Sequence, residues 1–148
     1  MIEIDRLQEH HQPAWLSLWR GYQAFYRARI PDDVTELNWR RLLDPTEPIL
    51  GIGASMEGRL VGIAHAVLHR SFWTAGDYCY LQDLFIEPGM RGRGVGKALI
   101  GAVADAAAAR GASRVIWLTH ETNTAAIALY DQIADRTGFV QYRLRPSP

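Results

Sequence analysis

The spacing of apolar residues along the first third of the chain predicts one short strand and two helices. Residues 2 to 5 alternate between isoleucine and an acidic residue, which is typical of a short strand. Apolar side chains then recur at helical spacing from His10 to Arg29, and a second helical pattern begins at Asp32-Asp33. Prolines close both segments: Pro31 the first, Pro45 and Pro48 the second.

The middle of the chain has the pattern of consecutive strands. Ile49–Ala54 and Leu60–Leu68 flank the turn residues Glu57-Gly58-Arg59, which predicts a hairpin. A third strand is predicted from Tyr78 to Ile86, where Pro88-Gly89 stops it.

The last third alternates helices with strands. Gly94–Arg110 is rich in alanine and predicts a helix capped by Gly111, and Val115–Leu118 is a short apolar run typical of a buried parallel strand. A helix over Thr124–Ala134 and a final strand over Phe139–Leu144 complete the order β-α-α-β-β-β-α-β-α-β. The fold class is therefore α/β (α+β), a mixed sheet flanked by helices with one right-handed parallel crossover.

Composition narrows the function classes. The chain has 148 residues, which suits a single domain over residues 1–148, and its formal net charge is zero. A net charge of zero argues against sequence-independent binding of nucleic acid and against long-range attraction to acidic membranes. It carries one cysteine, no apolar run of spanning length, and acidic residues in place of an apolar leader, so we expect no disulfide, no membrane segment and a cytoplasmic location.

The segment Ile86–Leu99 carries the most chemical information. It follows a predicted strand, opens a predicted helix, and places three glycines at alternate positions among basic residues: Gly92, Gly94 and Gly96, with Arg91, Arg93 and Lys97. Glycine permits positive φ and close backbone approach, and free N–H groups at a helix start attract phosphate. The segment therefore predicts a diphosphate site.

Two common phosphate motifs do not fit this loop. A P-loop would need glycine where Arg91 stands and a hydroxyl residue where Ala98 stands. The dinucleotide fingerprint fails because its third glycine, Gly96, comes one residue early, and because that fingerprint normally opens a domain. A nucleotide is therefore the less favoured ligand for this loop.

The loop instead resembles the GNAT N-acetyltransferase superfamily. Arg91-x-x-Gly94-x-Gly96 matches that family's Gln/Arg-x-x-Gly-x-Gly/Ala signature. Further matches lie on both sides of the loop: Tyr80–Ile86, Trp117-Leu118-Thr119, Asn123, Leu129-Tyr130-Asp131 and Gly138-Phe139. The resemblance covers roughly residues 49 to 143. It is closest to the branch of HPA-type histone acetyltransferases and diamine acetyltransferases.

This resemblance implies a fold and a co-substrate. The fold would be GNAT-like, a mostly antiparallel sheet with a central splayed parallel strand pair, and the co-substrate would be acetyl-CoA. Its pyrophosphate would lie on the loop, and its pantetheine arm on β-strand backbone and the start of a later helix. The cofactor-binding residues implied are Arg91, Gly92, Arg93, Gly94, Val95, Gly96 and Lys97, then Leu84, Phe85 and Ile86, then Asn123 and Ala126.

Acetylation of an amine needs proton transfers that side chains must perform. An alkylamine with a pKa of about 10.4 is almost entirely protonated near pH 7, and only the free amine attacks a thioester. The resemblance makes Tyr130 the general acid for the departing thiolate. The base is open: the diamine enzymes have glutamate where Gln82 stands, and Asp83 faces the site only if its strand bulges. His120 and Glu121 are further candidates, and a water relay among these groups is an alternative.

Other residues with reactive or aromatic side chains have either a site role or a structural role. Tyr22 and Tyr26, one helical turn apart, are candidates for lining the amine pocket, whereas Trp19 and Phe25 are assigned to the core. Cys79 lies on a predicted strand, and we expect it to be a small buried residue and not a nucleophile. His65 and His69 share a strand face but lack further ligands, so we expect no metal site.

The sequence thus predicts direct transfer of an acetyl group from acetyl-CoA to a primary amine, namely a polyamine, a lysine side chain or a small amine. The alternative is a non-catalytic module of the same fold that senses acyl-CoA, which Gln82 favours and Tyr130 disfavours. No nucleic-acid or membrane partner is expected. A homodimer is expected, with the final strand as the element that could be exchanged.

Overall fold

Five strands form one sheet in sequence order. The computed structural model of the chain describes residues 1–147. The strands are β1 (Ile2–Arg6), β2 (Ile49–Met56), β3 (Arg59–His69), β4 (Tyr78–Ile86) and β5 (Val115–Ile116), and each pairs with the next. The first four are antiparallel, and β5 runs parallel to β4.

Four helices accompany the sheet: α1 (Gln12–Phe25), α2 (Asp32–Leu43), α3 (Val95–Ala109) and α4 (Thr124–Ile133). The chain divides into two compact units, one from Met1 to Leu118 and a second that begins at Thr119. The first unit contains the whole sheet and α1 to α3, and every buried residue lies in it. The second unit contains α4, which has no buried residue.

The two faces of the sheet are filled by different side chains. On one face α1 and α2 supply a cluster that is rich in tryptophan: Trp15, Trp19 and Trp39 pack with Ile63 and Phe85. On the other face α3 lies so close to β3 that a Cβ on Gly62 would meet Leu99 and Val95 at 3.0–3.1 Å. The pairing register separates the faces, because Ile63 and Gly62 are adjacent on one strand.

A β-bulge interrupts β4 in its middle. His65 pairs with Asp83 while the next residue of β3, Ala66, pairs with Leu81, so Gln82 is an extra residue on β4. Paired residues project to the same face of a sheet, and an extra residue reverses the alternation on one side of it. Asp83 therefore projects with His65 toward α1, whereas Leu81 projects with Ala66 toward α3.

The first helix ends earlier than its sequence pattern predicts. It stops at Phe25, and Arg27 adopts a φ of +52°. The buried side chain of Gln23 then binds the connecting backbone: its amide accepts the Ile30 N–H at 2.7 Å and donates to the Trp19 carbonyl. This side chain fixes the turn into α2 because it supplies the hydrogen bonds that a helix would otherwise make.

One predicted strand is absent and another is shorter. Residues 139 to 144 form no strand in the described chain, and Phe139, Val140, Tyr142 and Leu144 are 75–92% exposed. Their alternation is real, but a strand forms only where its backbone pairs with a neighbour. Likewise β5 ends at Ile116, so Trp117 and Leu118 lie beyond it. The predicted mixed, mostly antiparallel fold is otherwise confirmed.

Candidate active site

The loop between β4 and α3 presents a run of free backbone N–H groups. Gly92 and Gly94 adopt φ values of +76° and +83°, the left-handed region that glycine enters without strain. Arg91 N–H bonds to Pro88, and Ala98 N–H bonds to Gly94 as α3 begins. Among the described residues, none of the six N–H groups between these two has a hydrogen-bond partner. An anion is the natural ligand for such a run at a helix start.

The space in front of this loop is open. A Cβ built on Gly92 or Gly94 meets no atom within 4 Å, so no described side chain lies against either glycine. Arg93 and Lys97 are exposed beside it, and Gly96 is half-buried. Val95 differs, because its side chain is buried and lies against Gly62 of β3. The residues fit a diphosphate held by backbone donors, with two exposed cations nearby.

Arg91 points away from the loop. Its Nε–H donates to the Ile86 carbonyl at 3.1 Å, and its guanidinium lies 5.5 Å from the ring centre of Phe85 and 5.8 Å from that of Phe25. These contacts join the end of β4 to the end of α1 by a cation–π interaction. The side chain of the signature arginine therefore contributes structure at this position, and its backbone N–H is bonded to Pro88.

The outer edge of β4 is available beyond its first three residues. Strand β5 pairs only with Cys79 and Tyr80, so the backbone from Leu81 to Ile86 has no strand on that side within the described chain. The parallel pair thus separates next to the bulge, as the family resemblance implies. Phe85 is buried and Leu84 half-buried, which leaves their backbone as the part that a ligand would contact.

Four side chains from three elements form a hydrogen-bonded cluster on the α1 face. The Trp15 indole N–H donates to Nε2 of His65 at 2.9 Å, and Nδ1 of His65 lies 3.1 Å from Oδ2 of Asp83. The Tyr22 hydroxyl lies near Asp83 and Tyr26, and both residues raise its pKa. Trp15 is 1% exposed, while the side chains of His65 and Asp83 are 13% and 14% exposed. The carboxylate is therefore held firmly and still reaches solvent.

The pKa of the Tyr22 hydroxyl is changed by this environment. Burial raises the pKa of its hydroxyl far above the ordinary value, and the negative charge and hydrogen bond of Asp83 raise it further. A phenol in this state stays protonated and acts as a hydrogen-bond donor to the carboxylate. Its ring also packs against Tyr26 at 5.0 Å and against Phe85 edge-on at 6.0 Å. Tyr26 and Phe25 are about half exposed, so Phe25 is outside the core predicted for it.

Gln82 occupies the bulge and is exposed. Among the described residues its amide has no hydrogen-bond partner. The two neighbouring candidates therefore differ: the Gln82 amide is free to bind a ligand, and the Asp83 carboxylate is anchored by donors. The condition set by the sequence, that Asp83 needs a bulge to reach the α1 face, is met.

The second unit carries the remaining predicted site residues on one short segment. Asn123 precedes α4 without capping it, because its side-chain amide donates to Oγ1 of Thr119 at 3.3 Å. His120 is exposed, and its Nδ1 lies 2.7 Å from Oγ1 of Thr122 and accepts the Thr122 N–H. Glu121 is exposed as well, whereas Ala126 and Tyr130 are half-buried on α4.

Other reactive side chains form no further site in residues 1–147. Cys79 is fully buried, and burial raises the pKa of its thiol. His69 bonds to the backbone of Arg70 and contacts the ring of Tyr78. No group of three or more His, Cys, Asp or Glu residues in this range is placed to hold a metal ion. No helix in it is long and apolar enough to cross a bilayer.

Sequence reasoning missed two members of the α1-face cluster. The sequence pattern suggests only a metal-ligand role for His65, and nothing in the pattern distinguishes Trp15 from a core residue. The partners of His65 lie 50 and 18 residues away in the chain, so no local spacing joins them. The one available signal was a polar histidine in an otherwise apolar strand, which needs a partner when it is buried.

Comparison with known proteins identifies the family. The Acetyltransferase (GNAT) family model matches residues 5–134. The D-amino-acid N-acetyltransferase HPA3 of Saccharomyces cerevisiae is 31% identical over 144 residues, which cover 96% of this chain and 89% of that protein. The N-acetyltransferase YhfO of Bacillus subtilis is 30% identical, with 97% of both chains covered. The expected resemblance to an HPA-type protein is confirmed.

Solved structures share the fold at lower identity. The aminoglycoside N-acetyltransferase AAC(6')-Iy, solved with a CoA-based bisubstrate analogue, superposes with a TM-score of 0.85 at 20% identity over 99% of each chain. The ribosomal-protein-alanine N-acetyltransferase of Brucella melitensis gives a TM-score of 0.80 at 24% identity over 98% of this chain and 99% of that one. The chain therefore belongs to the GNAT family and is an acetyl-CoA-dependent N-acetyltransferase.

Proposed function

We propose that the chain transfers an acetyl group from acetyl-CoA to a primary amine by direct attack, with Asp83 as the group that accepts the amine's proton. The observation that carries this proposal is the bulge at Gln82, which turns Asp83 toward the α1 face beside His65. Acetyl-CoA supplies the activated acetyl group. The protein must bind it, free the amine of its proton, and return a proton to the thiol.

The loop between β4 and α3 is suited to the first task. Six backbone N–H groups without protein partners, at the positive end of a 15-residue helix, are matched to the charge of a pyrophosphate. Arg93 and Lys97 add positive charge at the rim. We assign Leu84 to Ile86 to the pantetheine arm, because their outer backbone edge is unpaired, and Asn123 and Ala126 to the cofactor by family resemblance.

Asp83 is suited to the second task. Its carboxylate is the negative charge of the α1-face cluster, and it lies beside aromatic rings that favour an ammonium group. A proton passes from the ammonium to Asp83 and on to solvent, and the free nitrogen then forms the N–C bond as the C–S bond breaks. The departing thiolate takes a proton from Tyr130, and the second proton that the nitrogen loses restores the Tyr130 hydroxyl. Gln82, Tyr22 and Tyr26 are proposed to hold the acceptor, since the first is a free amide and the others border Asp83.

Tyr130 is proposed to supply the thiol proton, and His120 and Glu121 to contribute to acceptor binding. Family resemblance supports the Tyr130 assignment through its spacing from Asn123, whereas His120 and Glu121 are proposed because they follow β5 in the sequence. A Tyr130→Phe variant is expected to lower kcat by about 10²-fold, the lower range for loss of a general acid. Stopped-flow and steady-state thiol release measure this. Unchanged turnover would remove the assignment.

The acceptor is a primary amine of one of three kinds: a polyamine, a lysine side chain or a small amine. The relatives support this breadth, because their names specify D-amino acids, aminoglycosides and the alanine of a ribosomal protein. The aromatic and anionic α1 face accommodates any ammonium group, so the carbon skeleton is selected elsewhere. D-amino acids are the first small amines to test, since that relative shares 31% identity.

The test is release of the CoA thiol with purified protein over polyamines, lysine peptides, aminoglycosides and both enantiomers of amino acids. Turnover with one class, abolished by omission of the amine, establishes the reaction and its acceptor. The alternative is an acyl-CoA sensor, which the free amide of Gln82 favours in place of a second carboxylate. Tight acetyl-CoA binding without turnover on any amine would favour that alternative.

We also propose that two such 148-residue domains form a homodimer. Four large apolar side chains between residues 139 and 144 are exposed in the single chain, and burying them would remove apolar surface from water. Sedimentation of the full chain against a variant with Phe139 and Tyr142 changed to serine tests this. The predicted cytoplasmic location stays a prediction, to be checked by cell fractionation.

A further inference from the structure

The buried cluster on the α1 face fixes the proton arrangement of one histidine. The Trp15 indole N–H is a donor and has no acceptor function, so the Nε2 atom it contacts at 2.9 Å must offer a lone pair. A neutral imidazole with a free Nε2 carries its proton on Nδ1. That proton faces Oδ2 of Asp83 at 3.1 Å. The contacts of His65 therefore specify the neutral Nδ1–H tautomer.

The same contacts oppose a second proton on His65. Protonation at Nε2 would set two N–H groups against each other, and Trp15 cannot turn away easily because it is 1% exposed and packs on Trp39 at 4.7 Å and Trp19 at 6.2 Å. His65 also meets the edge of the Trp19 ring at 5.0 Å. Three tryptophans from α1 and α2 thus hold the imidazole and its proton in one orientation.

A neutral histidine preserves the charge that the reaction uses. If His65 were an imidazolium, it would form an ion pair with Asp83 and cancel the negative charge beside the acceptor site. As a neutral donor it orients the carboxylate and leaves the full charge available to an ammonium group. Tyr22, which stays protonated, is the second neutral donor to the same carboxylate.

We infer that His65 is a positioning residue of the acetyl transfer: locked by Trp15 as the Nδ1–H tautomer, it holds Asp83 in the orientation in which that carboxylate accepts the amine's proton. The inference rests on the proposed role of Asp83. His65 itself neither touches the acetyl donor nor carries the proton away.

The surroundings contain few other groups that could change this state. From α1 the cluster is faced by Trp15, Trp19 and Tyr22, with Tyr26 bonded to Tyr22. From β4 it is faced by Asp83, and from α2 Trp39 lies behind Trp15. The cation of Arg91 lies on the far side of this group, over the Phe85 ring that Tyr22 contacts. Among residues 1–147, Asp83 is thus the one anion that faces His65.

The first test needs no activity measurement. Two-dimensional ¹⁵N–¹H spectra of the labelled, full-length protein distinguish the two imidazole tautomers, and a His65→Gln sample assigns the signal. We expect the Nδ1–H pattern for His65 at neutral pH. The Nε2–H pattern would overturn the inference.

Substitutions then separate positioning from packing. A His65→Asn variant retains an amide N–H near the position of Nδ1, whereas His65→Leu retains volume without a donor. We expect His65→Leu to lower kcat by about 10²-fold, the size of effect that follows from misplacing a reacting group, with the KM for acetyl-CoA unchanged. His65→Asn should recover most of that loss. Equal kcat for the two variants would show that the donor is irrelevant.

Trp15→Phe tests the lock directly. It keeps an aromatic ring but removes the donor to Nε2, so the ¹⁵N spectra should show some of the Nε2–H tautomer and kcat should fall with the KM for acetyl-CoA unchanged. Spectra that keep the Nδ1–H pattern alone would contradict the lock. If Asp83→Asn retained full turnover, the proposed function would fail while the tautomer result stood, so the two failures are distinguishable.

Discussion

The phosphate loop and the α1-face cluster use opposite strategies to build a binding site. The loop, Gly92 to Lys97, acts through backbone N–H groups and needs open space in front of its glycines. The cluster of Trp15, His65, Asp83 and Tyr22 acts through side chains, all partly or fully buried. The former requires the absence of side chains, and the latter requires particular ones in fixed orientations.

This difference has consequences for what substitutions do. A backbone site depends on φ and on empty volume, so it tolerates changes at the side chains around it. A side-chain site depends on each donor and acceptor, since removing one leaves its partner unpaired at a cost. We therefore expect changes in the loop to alter the KM for acetyl-CoA, and changes in the cluster to alter kcat with the amine.

The largest effect is expected at Asp83. An Asp83→Asn variant keeps the size of the side chain but cannot accept a proton, so kcat with the amine should fall by about 10²- to 10⁴-fold while the Kd for CoA stays the same. Thiol release and calorimetry measure the two quantities. Asp105→Asn, on an exposed position of α3, is the matched control. A parallel loss of CoA binding would show that loop and cluster are not independent.

A smaller effect is expected at Gly94. Its φ of +83° costs a non-glycine residue about 1–2 kcal/mol, and the valine of a Gly94→Val variant would place a branched side chain in the open concavity. The Kd for CoA should rise about tenfold or more, which corresponds to loss of at least one N–H contact to a charged group. Calorimetric titration with CoA measures it.

The control for this change lies seven residues further on. Gly101 is exposed on α3, has no unusual φ, and a Cβ there meets no atom within 4 Å. Gly101→Ala should leave CoA affinity unchanged and stabilise the helix slightly. If both glycine variants weakened CoA binding equally, the φ of Gly94 would not be the reason.

The smallest effect is expected at Tyr22. Tyr22→Phe removes one hydrogen bond to Asp83 and keeps the ring, so kcat should fall by up to about tenfold. Because burial and Asp83 raise the pKa of Tyr22, the folded protein keeps this proton at a pH where an unfolded tyrosine, with a pKa of about 10, loses it. The free energy of unfolding is therefore intact below about pH 10 and decreases above it.

Urea unfolding at pH 8 and pH 10.5 tests whether the free energy of unfolding decreases at alkaline pH. The wild type should lose more stability between the two values than Tyr22→Phe, whereas Tyr142→Phe, at an exposed position, should resemble the wild type. An equal loss in all three proteins would mean that Tyr22 does not govern the alkaline limit.

The comparison also explains what could be predicted from sequence. The phosphate loop is one contiguous segment, and the spacing of its glycines is what allows its backbone to bind an anion. The position of the phosphate site and the class of its ligand could therefore be predicted from the sequence. The cluster depends on the bulge at Gln82 and on the packing of α1 over β3, neither of which leaves a local pattern. Asp83 could be named only conditionally, and His65 was given a different role.

In the C-terminal segment a clear sequence pattern leads to a wrong prediction. Residues 139 to 144 have the alternation of a strand, yet they form none in the described chain. Periodicity specifies which face would be apolar, whereas pairing depends on a partner backbone that the pattern does not contain. The second unit accordingly agrees with its predicted helix and not with its predicted strand.

The burial of Cys79 simplifies the enzymology of this protein. It is the single cysteine of the chain, it is fully buried on β4, and its thiol has a raised pKa. A thiolate must reach the sulfur of a disulfide reagent to attack it, so the buried thiol leaves the folded protein nearly unreactive toward such reagents. Every equivalent of chromophore that such a reagent releases then reports one CoA liberated, and a slow extra equivalent per chain reports unfolding.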